Sequence, residues 1–160
     1  MGKSGILPGK MPMSTESEGI FIDTNILIYS TFPDFDSEKH IQSLESLNKL
    51  LQSGKPLFVS SQILREYFAI STNGSIFKRP LDRKQAVGKI HEFLKRFSLL
   101  LEKETTIQTL MDLIEKYAIS RQKIHDLNIV ATMIDHGISH LLTYNKKDFK
   151  RINEISLCEL

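Results

Sequence analysis

The sequence predicts an α/β fold: a central, mainly parallel sheet of four to five short strands, flanked by helices on both faces. Three observations predict it. Short apolar runs recur along the chain, most are separated by stretches with apolar residues at helical spacing, and the length of 160 residues suits one domain with a continuous core.

Each element follows from its residues. Positions 1–18 are rich in Gly, Pro, Ser, Lys and Met without periodicity and read as a flexible tail, which leaves 19–160 as a single domain. "GIFI" (19–22) is the first strand, and Asp23 or Thr24 is placed to cap a short helix over "NILIYST". In "DSEKHIQSLESLNKLLQSG", Ile41, Leu44, Leu47, Leu50 and Leu51 recur at helical spacing, and Gly54 stands where a helix stop belongs. "PLFVS" is the second strand. Ser61 opens the next helix, with Ile63, Leu64, Tyr67 and Phe68 on its apolar side. "NGSIFKRP" is a loop. "LDRKQAVGKIHEFLKRF" and "TTIQTLMDLIEKYAIS" are amphipathic helices on either side of a third strand, "SLLLE". "KIHDLNIVATMIDHG" is a helix with Leu127, Val130, Ala131 and Ile134 on one face, ending at Gly137. The strand "SHLLT", the segment "NKKDFKRI" and a last strand near "ISLCE" close the chain.

Composition narrows the class. Hydrophobic residues at 41% and charged residues at 25% are ordinary for a globular protein. No apolar run approaches the roughly 18–20 residues that span a bilayer, and no secretory signal is present, so a cytoplasmic location without a membrane partner is expected. The single cysteine, Cys158, excludes an internal disulfide framework and most thiolate metal sites. A formal net charge of +2 neither announces nor excludes a nucleic-acid binder.

The informative residues are acids at strand ends, because ligands of parallel sheets gather at the carboxyl ends of the strands. Asp23 ends the first strand. Glu66 lies about one and a half turns into the helix after "LFVS". Asp126 lies near the start of "HDLNIVATMI", and Asn145 and Asp148 follow "HLLT". Taken singly, each acid has an ordinary role: a helix cap for Asp23, a surface ion pair for Glu66, first-turn helix acids for Asp126 and Asp148. Taken as a set they repel one another and require a compensating cation. Oxygen ligands with no thiolate or paired imidazole favour Mg²⁺ or Mn²⁺ over zinc, and such sites typically serve phosphoryl chemistry.

Asp23-Thr24-Asn25 after an apolar strand, Glu66 in "SSQILREYF", Asp126 in "KIHDLNIVATMIDHGISHLLT" and the segment "TYNKKDF" together resemble a PIN domain. More narrowly they are similar to the VapC-type toxin ribonucleases of toxin–antitoxin pairs, over essentially Gly19 to Glu159. The resemblance implies a PIN-like fold and a Mg²⁺- or Mn²⁺-dependent endoribonuclease that leaves a 5′-phosphate and a 3′-hydroxyl. Asp23, Glu66 and Asp126 match its metal-binding acids, while Asn25 and Thr143 match polar positions that orient them. Where the family often has a fourth acid this chain has Asn145, so either Asp148 supplies the charge instead or the site holds only one ion tightly. Arg65, Lys78, Arg79, Lys146 and Lys147 are candidates for contact with the RNA backbone, each equally placed to be solvated surface. His125 touches RNA or packs, and the packing role is expected. The resemblance further implies an antitoxin seated over the active-site groove and a homodimer, for which the helices "SQILREYFAI" and "HIQSLESLNKLL" offer surfaces.

Three other readings compete with this one. A phosphatase of the haloacid-dehalogenase type needs an acid two residues after Asp23, where Asn25 stands. A PIN-like scaffold that binds RNA or protein without cutting is kept open by Asn145, and an RNA-maturation nuclease would share the same acids.

Overall fold

The computed structural model describes residues 19–160, so the expected tail at 1–18 lies outside the described residues. The chain runs β1 (Ile20–Ile22), α1 (Thr24–Thr31), α2 (Ser37–Gln52), β2 (Leu57–Ser60), α3 (Ser61–Ser71), α4 (Arg83–Leu94), β3 (Ser98–Leu100) and α5 (Thr106–Tyr117). A single 3₁₀ turn (Arg121–Lys123) then leads into α6 (Ile124–Asp135), β4 (His140–Leu142), α7 (Lys146–Phe149) and β5 (Ser156–Leu157). All five expected strands form, and every pairing between them is parallel.

The strand order is β3-β2-β1-β4-β5. The chain steps outward from β1 to β2 to β3, then returns to place β4 on the other side of β1. The order therefore reverses between β1 and β4, and a crevice opens at the carboxyl ends of those two strands, the usual ligand position of such sheets. All three side chains of β1 are buried although successive residues face opposite sides, so the sheet is covered on both faces. Burial of an Ile or Phe of this kind is worth roughly 1.5–3 kcal/mol, which anchors β1 as the centre of the core. Helix α1 packs against both α2 and α3, α4 packs on α3, and α5 packs on α6.

The stop signals act as expected. Gly54 and Gly137 take φ +74° and +68° just beyond α2 and α6, a backbone region in which a Cβ would be strained. Ser61 opens α3 as expected, behind a cap from the Ser60 side chain, which accepts from the Ile63 N–H. One local expectation is corrected. Of the five apolar positions read on α2, Leu47 is buried and Leu50 and Leu51 pack against the core, but Ile41 and Leu44 are exposed (56% and 39%). The reason is polar: Ser43 is fully buried and meets the Tyr144 hydroxyl at 3.1 Å, and His40 Nδ1 lies 2.8 Å from the Tyr29 carbonyl. These contacts set the rotation of the helix and leave Ile41 and Leu44 outside. No helix among the described residues is long and apolar enough to cross a membrane.

Candidate metal centre

The site is built on the reversal point of the sheet. Asp23 leaves β1, and its N–H donates to the Leu142 carbonyl at 3.0 Å, which locks the end of β1 to the end of β4. The sequence left open whether Asp23 or Thr24 caps α1, and the structure assigns the cap to Asp23, whose Oδ1 accepts from the Thr24 N–H at 2.7 Å. Its other oxygen, Oδ2, accepts from the Thr143 hydroxyl at 2.6 Å and from the Asn25 amide at 3.1 Å. Asn25 also donates to Thr143 Oγ1 at 3.1 Å and accepts from the Tyr144 N–H at 3.1 Å, which fixes the orientation of its amide. Asp23 is thus held from every side. It is 6% exposed, and burial raises its pKa above the ordinary value, opposed by the hydrogen bonds from Thr143, Thr24 and Asn25 and reinforced by Glu66.

Glu66 arrives from α3 at the same crevice. Thr24, freed from capping, donates its hydroxyl to Glu66 Oε2 at 2.7 Å, and Gln62 donates to Oε1 at 2.8 Å. Gln62 is a residue the sequence reading missed. It is buried, its amide nitrogen also donates to the His125 carbonyl at 3.0 Å, and its oxygen accepts from the Asn128 amide at 2.8 Å. It therefore ties α3 to α6 across the site. The available signal was its position, one helical turn before Glu66 on the same face.

Asp126 lies in the first turn of α6 and carries no hydrogen bond, in contrast to the other three acids. Burial pushes its pKa from the ordinary 3.8 to about 6, with the charges of Asp23, Asp148 and Glu66 acting in the same direction and Lys123 against them. All four acids therefore share one electrostatic neighbourhood. Asp148, on α7, is the exception in sign: Lys123, at 2.9 Å, and Asn145, whose amide donates at 2.6 Å, hold its carboxyl below the ordinary range. Asn145 also joins the network through its N–H, which donates to Thr143 Oγ1 at 2.9 Å.

The remaining candidates disperse. Lys147 is exposed beside Asp148, and Lys146 is paired with Glu159 at 3.1 Å. Arg65 is exposed on α3, one position from Glu66 but turned away around the helix. Lys78 and Arg79 lie at the opposite end of α1 from Asp23, on the rim of a cavity of about 650 Å³ lined by Phe32, Phe35, Ile76 and Phe77, where Arg79 pairs with Asp34. His125 does not pack: its side chain is exposed and its backbone carbonyl serves Gln62.

Among the described residues, no three His, Cys, Asp or Glu side chains stand close enough to enclose an ion in this arrangement. The donor chemistry nonetheless fits a hard divalent cation. Asp23, Glu66 and Asp126 offer only carboxylate oxygens, they repel one another, and Asp126 has no competing hydrogen bond. One consequence concerns Thr143, which is fully buried. Thr143→Val removes a donor from Asp23 and an acceptor from Asn145. It is expected to lower stability by about 1–3 kcal/mol in urea unfolding, and Thr143→Ser to recover most of it.

The fold and site define a class: a parallel α/β protein with a carboxylate cluster at the point where its strand order reverses. The chain belongs to the PIN domain family, whose model matches residues 20–155. No protein of curated function matches the sequence. Solved structures do match. The VapBC2 complex of Rickettsia felis, bound to a DNA fragment from its promoter, is 24% identical with a TM-score of 0.65, over 89% of this chain and 98% of that one. DNA-bound VapBC from Salmonella typhimurium is 19% identical with a TM-score of 0.60, over 88% and 96%. VapC20 of Mycobacterium tuberculosis, described as a Sarcin-Ricin loop cleaving toxin, is 15% identical with a TM-score of 0.59, over 83% and 95%. At these identities the likeness is one of fold.

Proposed function

We propose that this chain is a divalent-metal-dependent endoribonuclease and the toxin of a toxin–antitoxin pair. The observation that carries this reading is the sharing of one electrostatic neighbourhood by Asp23, Glu66, Asp126 and Asp148 at the sheet reversal of a PIN domain. Asp23, Glu66 and Asp126 would hold Mg²⁺ or Mn²⁺, which at such a site lowers the pKa of a water and stabilises charge on a phosphodiester.

The chain's own residues divide the remaining work. Thr143, Asn25 and the Thr24 N–H keep Asp23 ionisable in a buried place and fix its direction. Thr24 and Gln62 aim Glu66 from two sides. Asp126, without a hydrogen bond, is free to turn towards an ion. Lys147 is best placed of the five cations to meet a phosphate next to the acids, and Lys78 and Arg79 would act only on a longer RNA, a helix length away.

The antitoxin partner is supported by solved relatives that are toxin–antitoxin complexes. The apolar cavity at the end of α1, bordered by exposed Phe35 and Ile76, offers such a partner a seat. The exposed pair Ile41 and Leu44 on α2 offers an apolar surface for a homodimer. A chain of this function works in the cytoplasm, where its RNA is.

The test is incubation of the purified chain with structured RNA and Mn²⁺ or Mg²⁺, with and without chelator. Cleavage that appears with the ion and stops with chelator is expected. Cleavage indifferent to chelator would sink the metal mechanism, and no cleavage with either ion would favour a binding scaffold.

A further inference from the structure

Asp148 is the fourth acid of the site, and among the four it is the one that faces an ammonium. Oδ1 faces the Lys123 ammonium at 2.9 Å, and Oδ2 accepts from the Asn145 amide at 2.6 Å. Lys123 comes from the 3₁₀ turn that leads into α6, three residues before Asp126, and crosses to α7 to make this pair. Its side chain makes no cap hydrogen bond to α6 and is paired with Asp148 instead. Its charge also acts on Asp126, which places Lys123 inside the same cluster of charges.

From this geometry we infer that Lys123 is a resident counter-cation of the acidic site. It neutralises Asp148 and takes that carboxylate out of the ligand set, so the centre accepts a single divalent ion on Asp23, Glu66 and Asp126. The inference rests on the metal-site reading above and deepens it. Charge balance supports it: one ammonium cancels one carboxylate, and the three remaining carboxylates face one divalent ion. A second divalent ion would have to expel Lys123 from Asp148 or sit beside its positive charge. It would also find at position 145 an amide whose donor points at Asp148, in place of another carboxylate.

Lys123 is 45% exposed, so its replacement leaves the core untouched, which circular-dichroism melting verifies. The experiment is Mn²⁺ titration of the metal-free full chain by calorimetry, in the wild type and in Lys123→Met, Lys123→Gln, Lys123→Arg and the double variant Lys123→Met/Asp148→Asn. One ion per chain is expected for the wild type and for Lys123→Arg. Two are expected for Lys123→Met and Lys123→Gln, and one again for the double variant, which lacks the exposed fourth carboxylate. Two ions in the wild type, or one ion in both neutral variants, overturns the inference while leaving the metal site standing. No Mn²⁺ binding to the wild type instead overturns the metal-site reading, and the inference falls with it.

Discussion

Asp126→Asn is expected to slow RNA cleavage by about a hundredfold to a thousandfold while leaving the metal-free protein as stable as the wild type, or more so. The two effects share one cause. Asp126 is pushed up to about 6 by burial and by the charges of Asp23, Asp148 and Glu66, so ionising it in the folded chain is unfavourable. A neutral amide of the same shape escapes that penalty, and with no hydrogen bond at Asp126 there is none to lose. The same amide is a poor ligand for a hard cation. Loss of a ligand that positions a Lewis acid costs several kcal/mol of transition-state stabilisation, on the order of a hundredfold to a thousandfold in rate. Gel assays of RNA cleavage and thermal melting in chelator measure the two halves. A variant that cuts at the wild-type rate removes Asp126 from the metal site. A variant that melts well below the wild type removes the claim that the carboxylate is held under repulsion. Asp23→Asn makes a useful contrast: Asp23 accepts from three donors, so an amide there sets a donor against a donor, and activity and stability should fall together.

The second large effect links metal binding, pH and stability. A carboxyl whose folded pKa lies above its unfolded value binds more protons in the native state between the two values. For Asp126, stability is therefore lost as pH rises from about 3.8 to about 6, and Asp23 acts in the same direction. The carboxyls held low, among them Asp36, Glu92, Asp135, Asp148 and Glu154, act at lower pH: their stabilisation is lost as pH falls below the ordinary carboxylate range. The upper part of the interval, towards pH 6, therefore reports mainly on the acidic site. A divalent ion binds the deprotonated carboxylates and removes their repulsion, so the rise in melting temperature on adding Mn²⁺ should be small at pH 5 and substantially larger at pH 7.5. Chelator should reverse it, and Asp126→Asn should flatten the pH dependence. An equal shift at both pH values, or none, would detach the raised Asp126 from metal binding.

The scaffold, and the acids that stand at its strand ends, were legible in the local pattern of the chain. Apolar runs such as "GIFI" and "SHLLT" could be buried only as strands covered on both faces, and the helical spacing of Leu127, Val130 and Ala131 placed α6 against them. Once strands end in a parallel sheet, Asp23 and Thr143 must emerge at one edge, and Glu66 and Asp126 sit in the helices beside it. Local pattern carries that much because it is periodic along the chain.

Tertiary structure decided what depends on partners far apart in sequence. It decided that Asp23, while still capping α1, is bound by Thr143, and that Gln62 ties Glu66 to α6. It turned Ile41 and Leu44 outward because Ser43 meets Tyr144, a contact no helical pattern contains. It also gave Asp148 to Lys123 and Asn145, so the acid best placed in sequence to replace a missing ligand is the one already neutralised. Periodicity fixes which face of an element is apolar, but hydrogen bonds and ion pairs between elements fix the charge each carboxylate presents, and these form only when the sheet has brought the helices together.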